Sequence, residues 1–124
     1  RLLTNFDMDS RLVLAVVLAG QPPLRGLLGH PDQAAVAGRL AHYATLRLLS
    51  RDETRQFVVH RCTLAGAQHD PFDTDAHEAI FEISHGNLRA IDRLALKALE
   101  HVVKTGAKAV SAGDVIEARK VLAP

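Results

Sequence analysis

Residues Leu12 to Ala19 form an unbroken apolar run, Leu-Val-Leu-Ala-Val-Val-Leu-Ala, stopped by Gly20. No polar residue alternates within it, and it is too short for an ordinary buried helix. Such a run reads as a strand covered on both faces, the usual state of a central strand in a parallel sheet. A strand of that kind needs neighbours. The chain offers one other strand candidate, Thr45 to Leu49, and two strands do not make a stable sheet. The shortfall points to a chain that carries part of a larger sheet. The opening residues agree: Arg1-Leu2-Leu3 begins without Met and reads as the end of a cut helix, followed by a polar turn over 5–10. A fragment is therefore expected.

Pro22 and Pro23 end the first strand, and Pro23 suits the first position of a helix. Leu24, Leu27 and Leu28 then mark a short helix closed by Gly29-His30-Pro31. Asp32 is expected to cap a second one carrying Ala35, Val36, Ala37 and Leu40. After Leu49 the pattern turns wholly helical. Ser50-Arg51-Asp52-Glu53 is a capping box, in which hydroxyl and carboxylate each bond the other residue's amide. Its helix carries Phe57, Val58, Cys62 and Ala65 and ends at Gly66. A connector, Asp70-Pro71-Phe72, leads to a helix starting at Asp73 or Thr74, with Ala76, Ala79, Ile80 and Ile83 on one side. His85-Gly86 stops it. The next helix spans about 87–105, with a stripe of Ile91, Leu94, Ala95, Ala98, Leu99 and Val102, and Gly106 closes it. Ser111 to Asp114 repeats the capping pattern before a last stripe of Val115, Ala118, Val121 and Leu122. The expected division is 1–49 and 50–124, the second part being four short amphipathic helices that bury one another's apolar faces.

Composition narrows the function classes. Fifteen Lys and Arg against fourteen Asp and Glu leave a formal charge of +1, which gives no general pull towards nucleic acid or an anionic membrane. No apolar run approaches the roughly 20 residues that span a bilayer. Cys62 is the single cysteine, so no disulfide forms within the chain, and a reducing, cytoplasmic setting is expected.

Three stretches carry a resemblance to a known family. Leu2 to Ser10 together with Val16-Val17-Leu18-Ala19-Gly20-Gln21-Pro22-Pro23-Leu24 is similar to the helix end and following strand of AAA+ ATPases. The similarity is to the ExeA-like, general secretion pathway protein A and transposition-helper group. His42 to Leu46, with Val59-His60-Arg61 and Ala65-Gly66, resembles a second stretch of that group. Gly86-Asn87-Leu88-Arg89-Ala90-Ile91-Asp92-Arg93-Leu94-Ala95 resembles its lid motif. The resemblance implies a mostly α fold: a four-helix AAA+ lid bundle preceded by a remnant of the P-loop NTPase α/β core. It implies ATP and Mg in the intact protein and a homo-oligomer. It also implies a transposase or secretion-system protein as partner; DNA contact is a further possibility, and the short apolar runs lead us to expect no membrane insertion.

The resemblance also assigns roles. Arg89, three residues after Gly86 in a helix's first turn, matches the second sensor, which the lid offers to the γ-phosphate; a planar guanidinium donates two bonds to phosphate at once. Spacing alone favours a solvated Arg paired with Asp92 or Asp75. Gln21, just past the apolar run, matches the first sensor, which orients water, or simply ends the strand. Arg39 is the arginine-finger candidate, supplying charge to a neighbouring subunit's nucleotide, with Arg47 and Arg25 as weaker rivals. There is no G-x-x-x-x-G-K-S/T and no strand ending in Asp-Glu, so the chain is expected neither to bind Mg-ATP tightly nor to hydrolyse it.

Other chemistries find little support. The seven histidines are scattered, and His77-Glu78 lacks a second His at zinc-protease spacing. No metal is expected. Cys62 sits on an apolar helical face as a core residue. No G-x-S-x-G elbow marks a hydrolase. The last two helices imitate a helix-turn-helix, but Asp114 and Glu117 interrupt the basic side of Arg119 and Lys120. A nucleotide-independent protein- or DNA-interaction module is the competing reading.

Overall fold

The structure is a computed structural model and describes residues 15–122. The expected helix end at 1–5, the turn at 5–10 and the first residues of the apolar run lie outside that range. The chain divides between Thr45 and Leu46 into two compact units.

In the first unit, α1 spans Pro23–Leu28, with Pro23 at its first position and Gly29 as its C-cap. The proline contributes a preset φ where no helical N–H is needed. A 3-10 turn follows over Pro31–Gln33, then α2 over Ala34–Ala37. Asp32 does not cap α2. Its amide instead donates to His30 Nδ1 at 3.4 Å, and Gln33 precedes the helix. Neither α1 nor α2 buries a residue.

The two expected strands are absent from the described residues. Ala15–Gly20 is neither helical nor paired, and Val17 is 87% exposed. Residues 45–49 likewise belong to no strand. A strand exists only through its ladder, and no described segment supplies one to either stretch. The described fold is mostly helical; the α/β core remnant is not seen in it.

The second unit is built by α3 (Arg51–Leu64), α4 (Thr74–Ser84), α5 (Leu88–Thr105) and α6 (Ala112–Leu122). Each start has a local cause. Ser50 Oγ accepts from the Glu53 amide at 3.3 Å while Glu53 Oε2 accepts from the Ser50 amide at 2.8 Å. Asp73 Oδ1 accepts from Ala76 at 2.7 Å, and Asn87 Oδ1 from Ala90 at 3.1 Å. Ser111 and Asp114 cap α6 reciprocally, at 2.8 and 3.4 Å. Helix ends are equally local: Gly106, at φ +74, takes the left-handed conformation that closes α5.

The core joins Val58 of α3, Ala76 and Ile80 of α4, Ile91, Ala98 and Val102 of α5, and Val115 and Ala118 of α6. Ile80 and Ile91 are wholly enclosed, each stabilising the unit by about 1.5–3 kcal/mol through burial alone. Two connector residues join this core. Phe72 and Val110 form a parallel bridge in which the Val110 amide donates to the Pro71 carbonyl at 2.8 Å and the Asp73 amide to the Val110 carbonyl at 3.0 Å. Val121, expected in the α6 stripe, points to solvent instead.

Candidate functional site

The α4–α5 corner is shaped by two successive left-handed residues, His85 (φ 50) and Gly86 (φ 77). The His85 amide donates back to Phe81 at 2.8 Å, and the Gly86 amide donates to the buried Ser84 hydroxyl at 3.3 Å. The Gly86 carbonyl then accepts from the Leu49 amide at 2.9 Å. Contact with Leu49 is so close that a Cβ on Gly86 would stand 2.1 Å from the Leu49 carbonyl oxygen. Gly86 therefore serves the fold directly: it lets the residue leading into α3, Leu49, lie against the start of α5.

Asn87 caps α5, and Arg89 follows in its first turn, exposed. That turn holds no acidic residue. The pairing of Arg89 with Asp92 or Asp75 does not form: Asp92 Oδ1 is engaged by Arg61 at 3.2 Å, and Arg89 makes no ion pair among the described residues. A cation here stands at the positive end of the α5 dipole, which is mildly unfavourable without an anion and favourable with one. Helical geometry also leaves the first amides of α5 pointing outward, apart from the Ala90 amide that Asn87 satisfies. The corner thus presents an exposed positive charge at a capped helix start, with no acidic residue in that turn.

Gly86 and Arg89 are brought together on this corner. Gln21 and Arg39 belong to the first unit. Gln21 is exposed, its carbonyl accepting from the Leu24 amide at 2.8 Å. Arg39 lies beyond α2 rather than on it, its amide donating to Val36 at 3.0 Å.

Arg47 is engaged differently. Its guanidinium makes two parallel bonds to the Glu53 carboxylate, at 2.6 and 2.7 Å, and a third to the Leu48 carbonyl at 3.1 Å. The Arg47 bond, followed by the Ser50 amide, holds the Glu53 carboxyl down at about 2. The same pairing raises the Arg47 guanidinium further. Arg47 is thereby engaged at the α3 cap.

Two features escaped the sequence. His77 is buried, its Nε2 bonded to Asp70 Oδ2 at 2.7 Å, while Asp70 Oδ1 accepts from the Phe72 amide at 3.0 Å. The pair pins the α3–α4 connector, and nothing in the spacing of Asp70 and His77 announced it. The second is a groove of about 350 Å³ between α3 and α5, lined by Phe57, Cys62, Leu64, Leu96 and Leu99 among others. Cys62 is half-buried on its floor, and burial, helped by the Asp70 charge, pushes its thiol pKa up. That environment favours the unreactive thiol over the thiolate. Among the described residues no cluster of three or more metal-ligating side chains occurs, and no helix is long and apolar enough to cross a membrane. On α6, Lys120 is paired with Glu117 at 2.6 Å.

No family model and no solved structure matches the chain. The described part belongs to the broad class of helical bundles. The chain is similar to general secretion pathway protein A of Aeromonas hydrophila, 31% identical over 115 residues. The match takes in 93% of this chain but 21% of that protein, so the chain spans about a fifth of its relative.

Proposed function

We propose that the chain contributes the helical lid and a phosphate-sensing arginine to an AAA+ ATPase of the general secretion pathway protein A and transposition-helper group. The observation that carries this reading is Arg89, exposed in the first turn of α5 with no ion pair among the described residues. Its counter-charge is then the γ-phosphate of ATP, bound by a loop elsewhere in the longer protein. The 31% identity to a secretion pathway protein supports the same group. Gln21 and Arg39 act in this scheme as first sensor and arginine finger. Lid closure couples ATP and Mg to assembly with further subunits in the cytoplasm, and the assembly works on a transposase or a secretion protein, close to DNA in the first case.

The test uses the longer protein containing a phosphate-binding loop. Arg89→Ala is expected to lower ATP turnover about 100-fold or more, in the range set by loss of one charge-stabilising donor, while Arg93→Ala leaves it within about twofold of the parent, as expected away from the phosphate. Unchanged turnover in Arg89→Ala would sink the sensor role. The competing reading, a nucleotide-independent interaction module, draws on the apolar α3/α5 groove. It predicts partner binding that is indifferent to ATP.

A further inference from the structure

Residues 38–50 connect α2 to α3 without helix or strand. At the first end, the Leu40 amide donates to the Ala37 carbonyl at 3.2 Å and the Tyr43 hydroxyl donates to the same carbonyl at 3.3 Å. The holds at the second end are firmer. Arg47 grips the Glu53 carboxylate with two parallel charge-assisted bonds, at 2.7 and 2.6 Å, and the Leu48 carbonyl with a third. The Leu49 amide is tied to the Gly86 carbonyl at 2.9 Å, and Leu49 packs against the core. Between these holds stand Ala44, Thr45 and Leu46. All three are exposed, Leu46 at 95%, and among the described residues they enter no hydrogen bond or ion pair. The division of the chain into two units falls inside this triplet. A stretch with no backbone bonds and little burial is where a chain moves at least cost.

Glu53 is fixed independently of Arg47. Its carboxylate also accepts from the Ser50 amide at 2.8 Å, as part of the α3 cap. Arg47 therefore fastens the connecting chain to a helix start that is already in place. The fastening sets how much chain is loose. An extended chain covers about 3.3–3.6 Å per residue. With Arg47 held, the unbonded stretch is residues 44–46, with a reach of about 10 Å. With Arg47 released it runs over residues 44–48, up to the Leu49 bond, with a reach of about 17 Å.

We propose that residues 44–46 are the joint on which the two units turn, and that the Arg47–Glu53 pair is a latch that sets the joint's length. A turn at the joint reaches the second unit through Leu49, whose bond delivers it to Gly86, three residues before Arg89. The latch needs no nucleotide, so it stands or falls separately from the role of Arg89.

Amide nitrogen relaxation of the 124-residue chain reads the joint directly. Order parameters below about 0.6 are expected at residues 44–46, and near about 0.85 from Arg47 onward into α3. Glu53→Gln removes the charge but keeps an acceptor for the Ser50 amide, so α3 keeps its cap. In that variant Arg47 and Leu48 should fall below about 0.6, while Leu49 and α3 stay near about 0.85. Arg47→Ala should free the same two positions. A triplet as ordered as α5 in the parent overturns the proposal. So does an Arg47 already mobile in the parent, or a Glu53→Gln chain in which residues 47 and 48 are unmoved. Loss of order spreading along α3 in Glu53→Gln would overturn the latch as well, because Glu53 would then be acting through the cap alone.

Discussion

Replacing Gly86 by Ala tests the close approach on which the α4–α5 corner depends. Two separate costs arise. The residue sits at φ +77, where a Cβ costs about 1–2 kcal/mol. The new Cβ would also fall 2.1 Å from the Leu49 carbonyl oxygen and 2.8 Å from its nitrogen. Those are backbone atoms, so no rotamer change relieves the overlap; Leu49 must withdraw. Withdrawal breaks the 2.9 Å bond from the Leu49 amide to the Gly86 carbonyl, worth about 0.5–1.5 kcal/mol. It also strips the half-buried Leu49 from the core edge, at about another 1 kcal/mol. Gly106→Ala is the internal control. Its φ is +74, but nothing lies within 4 Å of the added Cβ, so it carries the backbone cost alone. Urea unfolding followed by circular dichroism should place Gly86→Ala about 2 kcal/mol below Gly106→Ala, the sum of the two Leu49 losses. With a slope of about 1–3 kcal/mol per molar, that is a midpoint difference on the order of 1 M. Hydrogen exchange at the Leu49 amide should accelerate in the Gly86 variant. Equal midpoints for the two variants would refute the steric argument and leave only the backbone conformation.

Two further outcomes follow from the described contacts. Glu53, held at about 2 against an ordinary 4.5, chiefly by Arg47, stabilises the folded state fully above the unfolded value and progressively less as pH falls towards the folded one. The stability gap between the parent and Glu53→Gln should therefore narrow from about pH 4.5 to about pH 2, measured by urea titration across that range. Ile80→Ala empties a fully enclosed site in α4 and should cost about 2–5 kcal/mol, read as a lowered midpoint with the helical signal still present before the transition.

Much of the second unit was legible because its signals are local. The capping pairs Ser50–Glu53 and Ser111–Asp114 act within four residues, so their sequence is nearly their geometry. Asn87 and Gly106 likewise mark helix ends by what their own backbone needs. The misses are non-local. Phe72 read as a connector residue, yet a bridge to Val110, far away in sequence, buries both. His77 became internal because Asp70 meets its ring. The apolar run ending at Ala19 gave strong strand propensity, but propensity does not supply a partner, and the described residues contain none. At the candidate site, the sequence showed that Arg89 opens a helix. It could not show that Arg61 would take Asp92 and leave Arg89 without an acid.

The Phe72–Val110 bridge has a consequence for how the second unit comes apart. It ties the entry to α4 to the entry to α6, so α4 and α5 lie inside a closed circuit of chain, with α6 leaving from its knot. Helix α3 lies outside that circuit, secured by the Leu49–Gly86 bond, its share of the core and the Arg51 bonds to Glu78 and Glu82. The unit should yield in two stages under a pull on its amino-terminal side. The flank of α3 lifts first, as a hinged panel, while the ring of α4, α5 and α6 remains shut. Force arriving from that side would then be spent on one helix before it reached the rest.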